Sequence, residues 1–190
     1  MRYPEDHKQK TRQRIVEEAA RLFRQDGVGA TGLQPLMKAL GLTHGGFYAH
    51  FKSKDDLVET ALQHAAAQLK EATAPLADSE RPLAALIGLY LSPRHRDDPG
   101  AGCPLPTLSA ELGQRGTPSP TSDAIVRDRL ELIESALPGE DAGERSVLLL
   151  AALVGALQLS RSVQDEALSQ RILAATRRKL LEQVESGNGG

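Results

Sequence analysis

Two groups of residues have types and spacings that could do chemistry. The first is compact. His44, Tyr48, His50, Lys52 and Lys54 fall within a few residues of one another, and each can donate a hydrogen bond to a phosphate oxygen or a base edge. Gly45 and Gly46 interrupt the same stretch. Inside a helix each glycine costs about 1 kcal/mol against alanine, a cost easier to understand if the backbone must approach a partner closely. The second group is Cys103, the only cysteine, followed by Pro104. Proline suits the first position of a helix, which would put Cys103 at its N-cap, where a thiolate is stabilised. That makes Cys103 a candidate sensor of electrophiles or oxidants. The alternative is a small buried hydrophobe, a common fate of free cysteine. His95 and Cys103 would make a nucleophile pair on paper, yet no oxyanion donor or third member is evident, so an enzyme built on Cys103 is a remote alternative.

The first group needs elements to hold it. Leu33, Leu36, Met37 and Leu40 recur at helical spacing. Gly41 follows, where a sharp helix end wants positive φ, and Leu42 can plug the corner. Thr43 can then N-cap a second short helix carrying Phe47, Tyr48 and Phe51. Helix, glycine turn and capped helix form the helix-turn-helix pattern, whose second helix is the usual DNA reader. A plain helical hairpin shares the glycine turn. It does not account for the donor cluster, the glycine pair or the concentration of aromatics.

Thr31, Leu36, Gly41-Leu42-Thr43, Phe47-Tyr48, His50-Phe51 and Ser53-Lys54 together resemble the signature of the TetR family of bacterial repressors. The preceding TRQRIVEEAARLFRQDG looks like that family's first helix. The match is dense over about residues 8 to 60, and beyond it only length and helical character agree. Gly32 and Pro35 depart from the pattern; proline is tolerated in a first helical turn, so the helix is expected to start near Leu33. The resemblance implies a DNA-binding head and a ligand-binding body, with Lys54 as a phosphate clamp. It also implies a homodimer on a palindromic double-stranded DNA operator, and an inducer that fills the body and changes the spacing of the two heads.

Composition agrees. The first 54 residues hold ten Lys+Arg against five Asp+Glu and the rest thirteen against twenty, so the net charge of −2 conceals a basic head on an acidic body. One cysteine rules out an intrachain disulfide framework and any multi-cysteine metal site. The first residues are polar and charged, unlike a secretion signal, and the apolar run Val147 to Leu157 is too short to span a bilayer. A cytoplasmic protein with no membrane partner, metal, cofactor or enzymatic activity is expected.

The fold expected is all-α: a three-helix helix-turn-helix domain over residues 1–52 and a six-helix ligand-binding and dimerisation domain over 53–190. Expected DNA contacts are Thr31, Thr43, His44, Gly45, Tyr48, His50 and Lys54, with His44 and Gly45 at base edges. Met1 to Asp6 reads as a loose arm, SPRHRDDPGAG as a solvated loop, and Ser53 as an N-cap with Asp55 and Asp56 in the turn it opens. An inducer cavity is expected to involve Leu86, Tyr90, Cys103, Leu108 and Leu112. A helix from about Ala142 to Val163, apolar over much of its circumference, needs cover on more than one side. With the helix from about Glu166 to Glu185 it can form a four-helix dimer interface through Leu148, Ala151, Ala152, Gly155, Leu159, Leu168, Ile172 and Ala175.

Overall fold

The computed structural model describes residues 5–116 and 118–186, and helix is the only regular structure among them. The head is built from α1 (Glu5–Asp26), α2 (Leu33–Ala39) and a 3₁₀ segment (His44–Ala49). The start of α3 (Lys54–Thr73) packs against α1 and carries the chain into the body. There follow α4 (Pro82–Tyr90), α5 (Pro93–Asp97), α6 (Leu105–Arg115), α7 (Pro120–Glu134), α8 (Ala142–Ser162) and α9 (Glu166–Ser186).

The apolar stripe read along α1 is the stripe that is buried. Ile15, Val16, Ala19, Ala20 and Phe23 meet Leu36, Met37, Phe47 and Phe51 from the head and Leu57, Val58 and Ala61 from α3. Gly27, at φ 87°, turns the chain out of α1, and Gly41, at φ 72°, ends α2; both lie where only glycine sits without strain. Ser53 caps α3 by accepting the Asp56 N–H at 3.1 Å, while Asp56 accepts the Lys52 N–H at 2.9 Å. The two bonds satisfy two N–H groups at the entry of the helix. Between α4 and α6 the structure departs from the expected loop. Ser92 accepts the His95 N–H, Pro93 takes the first helical position, and the five-residue α5 forms. A 3₁₀ turn (Pro99–Ala101) follows and packs on α1.

In the body, α8 lies between α7 and α9. It is long and apolar enough to cross a bilayer by length and composition alone, more so than the run Val147 to Leu157 suggests. Folded, its apolar residues divide. Leu149, Leu153 and Leu157 enter the core, Ser146 and Ser160 satisfy their hydroxyls on its own carbonyls, and Val147, Leu148 and Leu159 stand more than half exposed.

Candidate nucleic-acid interface and body cavity

The tip of the head is built from the Gly41-Leu42-Thr43 corner outward. Thr43 is extended, at φ −80° and ψ 150°, and its hydroxyl accepts the Gly46 N–H at 3.2 Å. The helix it caps is a 3₁₀ segment rather than the α-helix expected, in keeping with the poor helical propensity of adjacent glycines. Phe47 is fully buried and stacks on Phe51 with ring centroids 5.5 Å apart. This anchor fixes the turn and leaves the alternate side chains outward. Tyr48 is 61% exposed, His44 and Gly45 are exposed, and the His44 and Tyr48 rings meet edge-on. A side chain at Gly45 would meet nothing within 4 Å.

His50 is half-buried, and burial together with Lys8 and Arg12 pushes its imidazole below the ordinary value, so it is held neutral beside a basic surface. Arg12 lies over the Phe51 ring, 4.8 Å from its centroid. Lys8, Lys10, Arg14, Lys38 and Lys52 are exposed on the same head.

Two of the expected contact residues also bond within the head. Thr31 is buried and its hydroxyl donates to the Gly27 carbonyl at 2.7 Å. The Lys54 ammonium turns inward and donates to the Val28 and Thr31 carbonyls at 2.6 and 2.7 Å. Both side chains tie down the turn between α1 and α2; the Thr31 hydroxyl proton is spent there, while Lys54, half-buried, keeps a third N–H. Sequence reasoning missed the other half of this tie. Glu111, from α6, accepts the Val28 and Gly29 N–H groups at 2.6 and 2.5 Å, and Thr107 donates to the Arg24 carbonyl at 2.7 Å. No local pattern marks Glu111, since its partners are more than eighty residues away in sequence.

The body holds a cavity of about 880 Å³ between α1, α3, α4 and the segment from Ser92 to Cys103, within the range of about 300–1,000 Å³ usual for small-molecule sites. Leu86, Tyr90 and Cys103 line it, as expected. Leu108 is instead in the core and Leu112 half-buried outside the wall, because α6 turns its apolar face to α1, α7 and α8. Leu69 and Leu89 complete the apolar side, and Arg24 reaches in from the head.

Cys103 does not cap α6. Pro104 occupies the N-cap position, the thiol is buried, and burial pushes it up, opposite to an activated thiolate. Nor is His95 its base. The imidazole Nε2 accepts the Cys103 backbone N–H at 3.0 Å and Nδ1 lies 2.8 Å from the Tyr90 carbonyl, so the ring is a neutral bridge with its lone pair committed.

The residues expected at a dimer interface fall on one side. Leu148, Ala151 and Leu159 are exposed on α8, Ala152 and Gly155 half-buried, and Leu168, Ile172 and Ala175 half-buried on the adjoining face of α9.

Residues 15–61 match the family described as bacterial regulatory proteins, tetR family. An uncharacterized HTH-type transcriptional regulator of Mycobacterium tuberculosis (strain ATCC 25618 / H37Rv) is 31% identical over 170 residues, which cover 81% of this chain and 86% of that protein. AcrR, an HTH-type transcriptional regulator of Shigella flexneri, is 53% identical over 49 residues, 26% of this chain and 23% of its own. A solved TetR transcriptional regulator from Chloroflexus aurantiacus has a TM-score of 0.78 at 26% identity, covering 94% of this chain and 98% of that one.

Proposed function

The chain belongs to the TetR family of bacterial regulatory proteins and is a helix-turn-helix transcriptional regulator, and from that premise we propose that it is a cytoplasmic repressor released from DNA by a small molecule. It binds a palindromic operator as a homodimer, through a DNA-binding domain over residues 1–52 and a ligand-binding and dimerisation domain over 53–190.

One observation carries the reading. The Thr43-capped turn holds Phe47 inward and leaves His44, Gly45 and Tyr48 outward on a head studded with exposed cations. His44 and Gly45 meet base edges, Thr43 and Tyr48 meet phosphates, and His50 adds a donor at the flank. Lys38 and Lys52, with the remaining N–H of Lys54, supply the sequence-independent attraction.

The apolar stripe of α8 and α9 supports the dimer, because a face this apolar is unfavourable in water. A two-fold symmetric pair of heads then requires half-sites about 34–36 Å apart or a multiple of that. The cavity supports the release step. Its wall includes Arg24 of α1, and Glu111 and Thr107 hold the end of the same helix. A molecule filling the cavity therefore bears on the head directly, and shifts the equilibrium by its difference in affinity for the two states.

The test is affinity selection of fragmented genomic DNA on the purified protein, followed by sequencing. Enrichment of a palindrome is expected. No enrichment at low salt, where phosphate contacts are strongest, overturns the DNA reading.

A further inference from the structure

The cavity lining combines apolar side chains with a buried cation. Arg24 is only 5% exposed, and burial pushes its guanidinium below its ordinary value. A buried charge is costly unless paired, and every group that Arg24 meets is neutral. Its Nε donates to the Ala20 carbonyl at 3.0 Å, one Nη to the Gly102 carbonyl at 3.3 Å, and the other Nη to Gln68 Oε1 at 3.0 Å. A guanidinium has five N–H donors, so one N–H on each Nη has no partner among the described residues. No carboxylate among the described residues lies within ion-pair distance of it. Asp98, the acid that acts on Arg24 through space, has its Oδ1 on the Ala101 N–H.

The other charged groups narrow the choice. Arg21 is paired to Glu18, and Arg94 stands exposed at the rim. Glu17, Glu71 and Asp98 also line the opening, and all three are exposed. These rim acids repel a doubly charged phosphate about twice as strongly as a group with one negative charge. The apolar part of the lining is Leu69, Leu86, Leu89 and the Tyr90 ring, suited to an aliphatic chain, with the buried Tyr90 hydroxyl as a polar point in it.

We propose that the ligand of this cavity is a monocarboxylate with an aliphatic tail, its carboxylate taking the two unused Arg24 N–H groups and its tail lying along α3 and α4. Two parallel N–H···O bonds to one carboxylate are the geometry in which arginine is strongest. This rests on the reading that the cavity is where the releasing molecule binds, and adds its chemical class.

Octanoate, 1-octanol and octylamine share one tail and differ in head group, and their binding to the full-length protein can be measured by titration calorimetry. Octanoate is expected to bind at least about tenfold tighter than either of the others, the increment of one charge-assisted contact. Arg24→Gln should erase that preference. Gln68→Glu, nearly isosteric and therefore fold-preserving, places a competing carboxylate on Arg24 and should erase it too. Equal or tighter binding of octanol or octylamine, octanoate binding unchanged in both variants, or no binding of any probe overturns the proposal. Operator release by the same probes separates it from the reading beneath. Octanoate that binds with the stated preference yet leaves the operator bound sinks the inducer role and keeps the ligand class. Release by octanol through the same cavity, lost in Leu89→Trp, does the reverse.

Discussion

The carboxylate of Glu111, on α6, accepts the backbone N–H of Val28, at the end of α1, over 2.6 Å. Its other oxygen takes the Gly29 N–H, and Lys54 holds the carbonyls of Val28 and Thr31 on the opposite side of the turn. The turn between α1 and α2 is thus gripped by a body helix and by the connecting helix together, which makes it a joint between head and body.

Removing the Glu111 grip should loosen that joint. Hydrogen bonds to a charged group contribute about 1.5–3 kcal/mol, less where water competes, and the Glu111 side chain is 19% exposed. Glu111→Ala is expected to destabilise the fold by about 2 kcal/mol and to speed amide exchange at Val28 and Gly29 first. Glu111→Gln, which keeps one acceptor, should fall between. Denaturant unfolding and site-resolved hydrogen exchange check both, and unchanged exchange at Val28 would show that the contact carries no weight.

The tip separates stability from DNA affinity residue by residue. Thr43→Ala deletes the acceptor for the Gly46 N–H and should cost about 1 kcal/mol, the usual value of a lost cap, whereas Thr43→Ser should be nearly neutral. Tyr48 is exposed, so Tyr48→Phe should leave stability within about 0.5 kcal/mol. It should weaken binding to all DNA sequences alike by about 0.5–1.5 kcal/mol, the net value of one hydrogen bond. His44→Ala should instead relax sequence preference. Melting curves and binding to operator and scrambled DNA check these, and Tyr48→Phe altering the preferred sequence would reassign Tyr48 to base contact.

What the sequence made legible follows the range of the interactions. Gly41, Thr43 and Ser53 act on neighbours three or four residues away, and each does in the fold what its type and place announce. The buried stripe of α1 and the apolar side of α8 are likewise properties of single helices. The bonds of Lys54 and Thr31 to the turn between α1 and α2 have no local signature, because the position of that turn depends on packing. Leu108 and Leu112 carry the same pattern as cavity residues, and only the rotation of α6 separates core from wall. Ser92-Pro93 was a readable helix start, hidden by the proline, glycine and charge around it.

His95 gives the stability a pH dependence of defined sign. Burial, the largest influence, holds its imidazole below the ordinary value of 6.5; the bond to the Tyr90 carbonyl opposes this and Arg161 adds to it. Above about 6.5 the imidazole is neutral in both folded and unfolded chains, and its contribution is fully present. As the pH falls below 6.5 the unfolded chain takes up the proton first, so stability drops until the folded imidazole itself titrates. Protonation also turns Nε2 into a donor facing the Cys103 N–H. The melting temperature should fall from pH 7.5 to 5.5, and less so in His95→Gln. The residual slope should be that of His50, shifted in the same direction. An equal slope in His95→Gln would assign the effect to His50 or elsewhere.

Gly155 separates the dimer from the fold of its subunit. It sits mid-helix in α8, half-buried, and a Cβ placed on it meets nothing within 4 Å in the single chain. On helix propensity alone Gly155→Ala should stabilise an isolated subunit by about 1 kcal/mol. In a four-helix interface with Ala151 and Ala152 the glycine instead permits close approach of the partner's backbone, and added bulk there holds the helices apart. Gly155→Leu should therefore retain helical content while shifting the protein to monomer in light scattering. Leu159→Arg, at a side chain 58% exposed in the single chain, should do the same by placing a charge in the apolar seam. Both should weaken operator binding steeply, because one head alone meets half a palindrome. If the two variants stay dimeric at low micromolar concentration, the stripe on α8 and α9 is not the interface. A dimer would then have to form through another face.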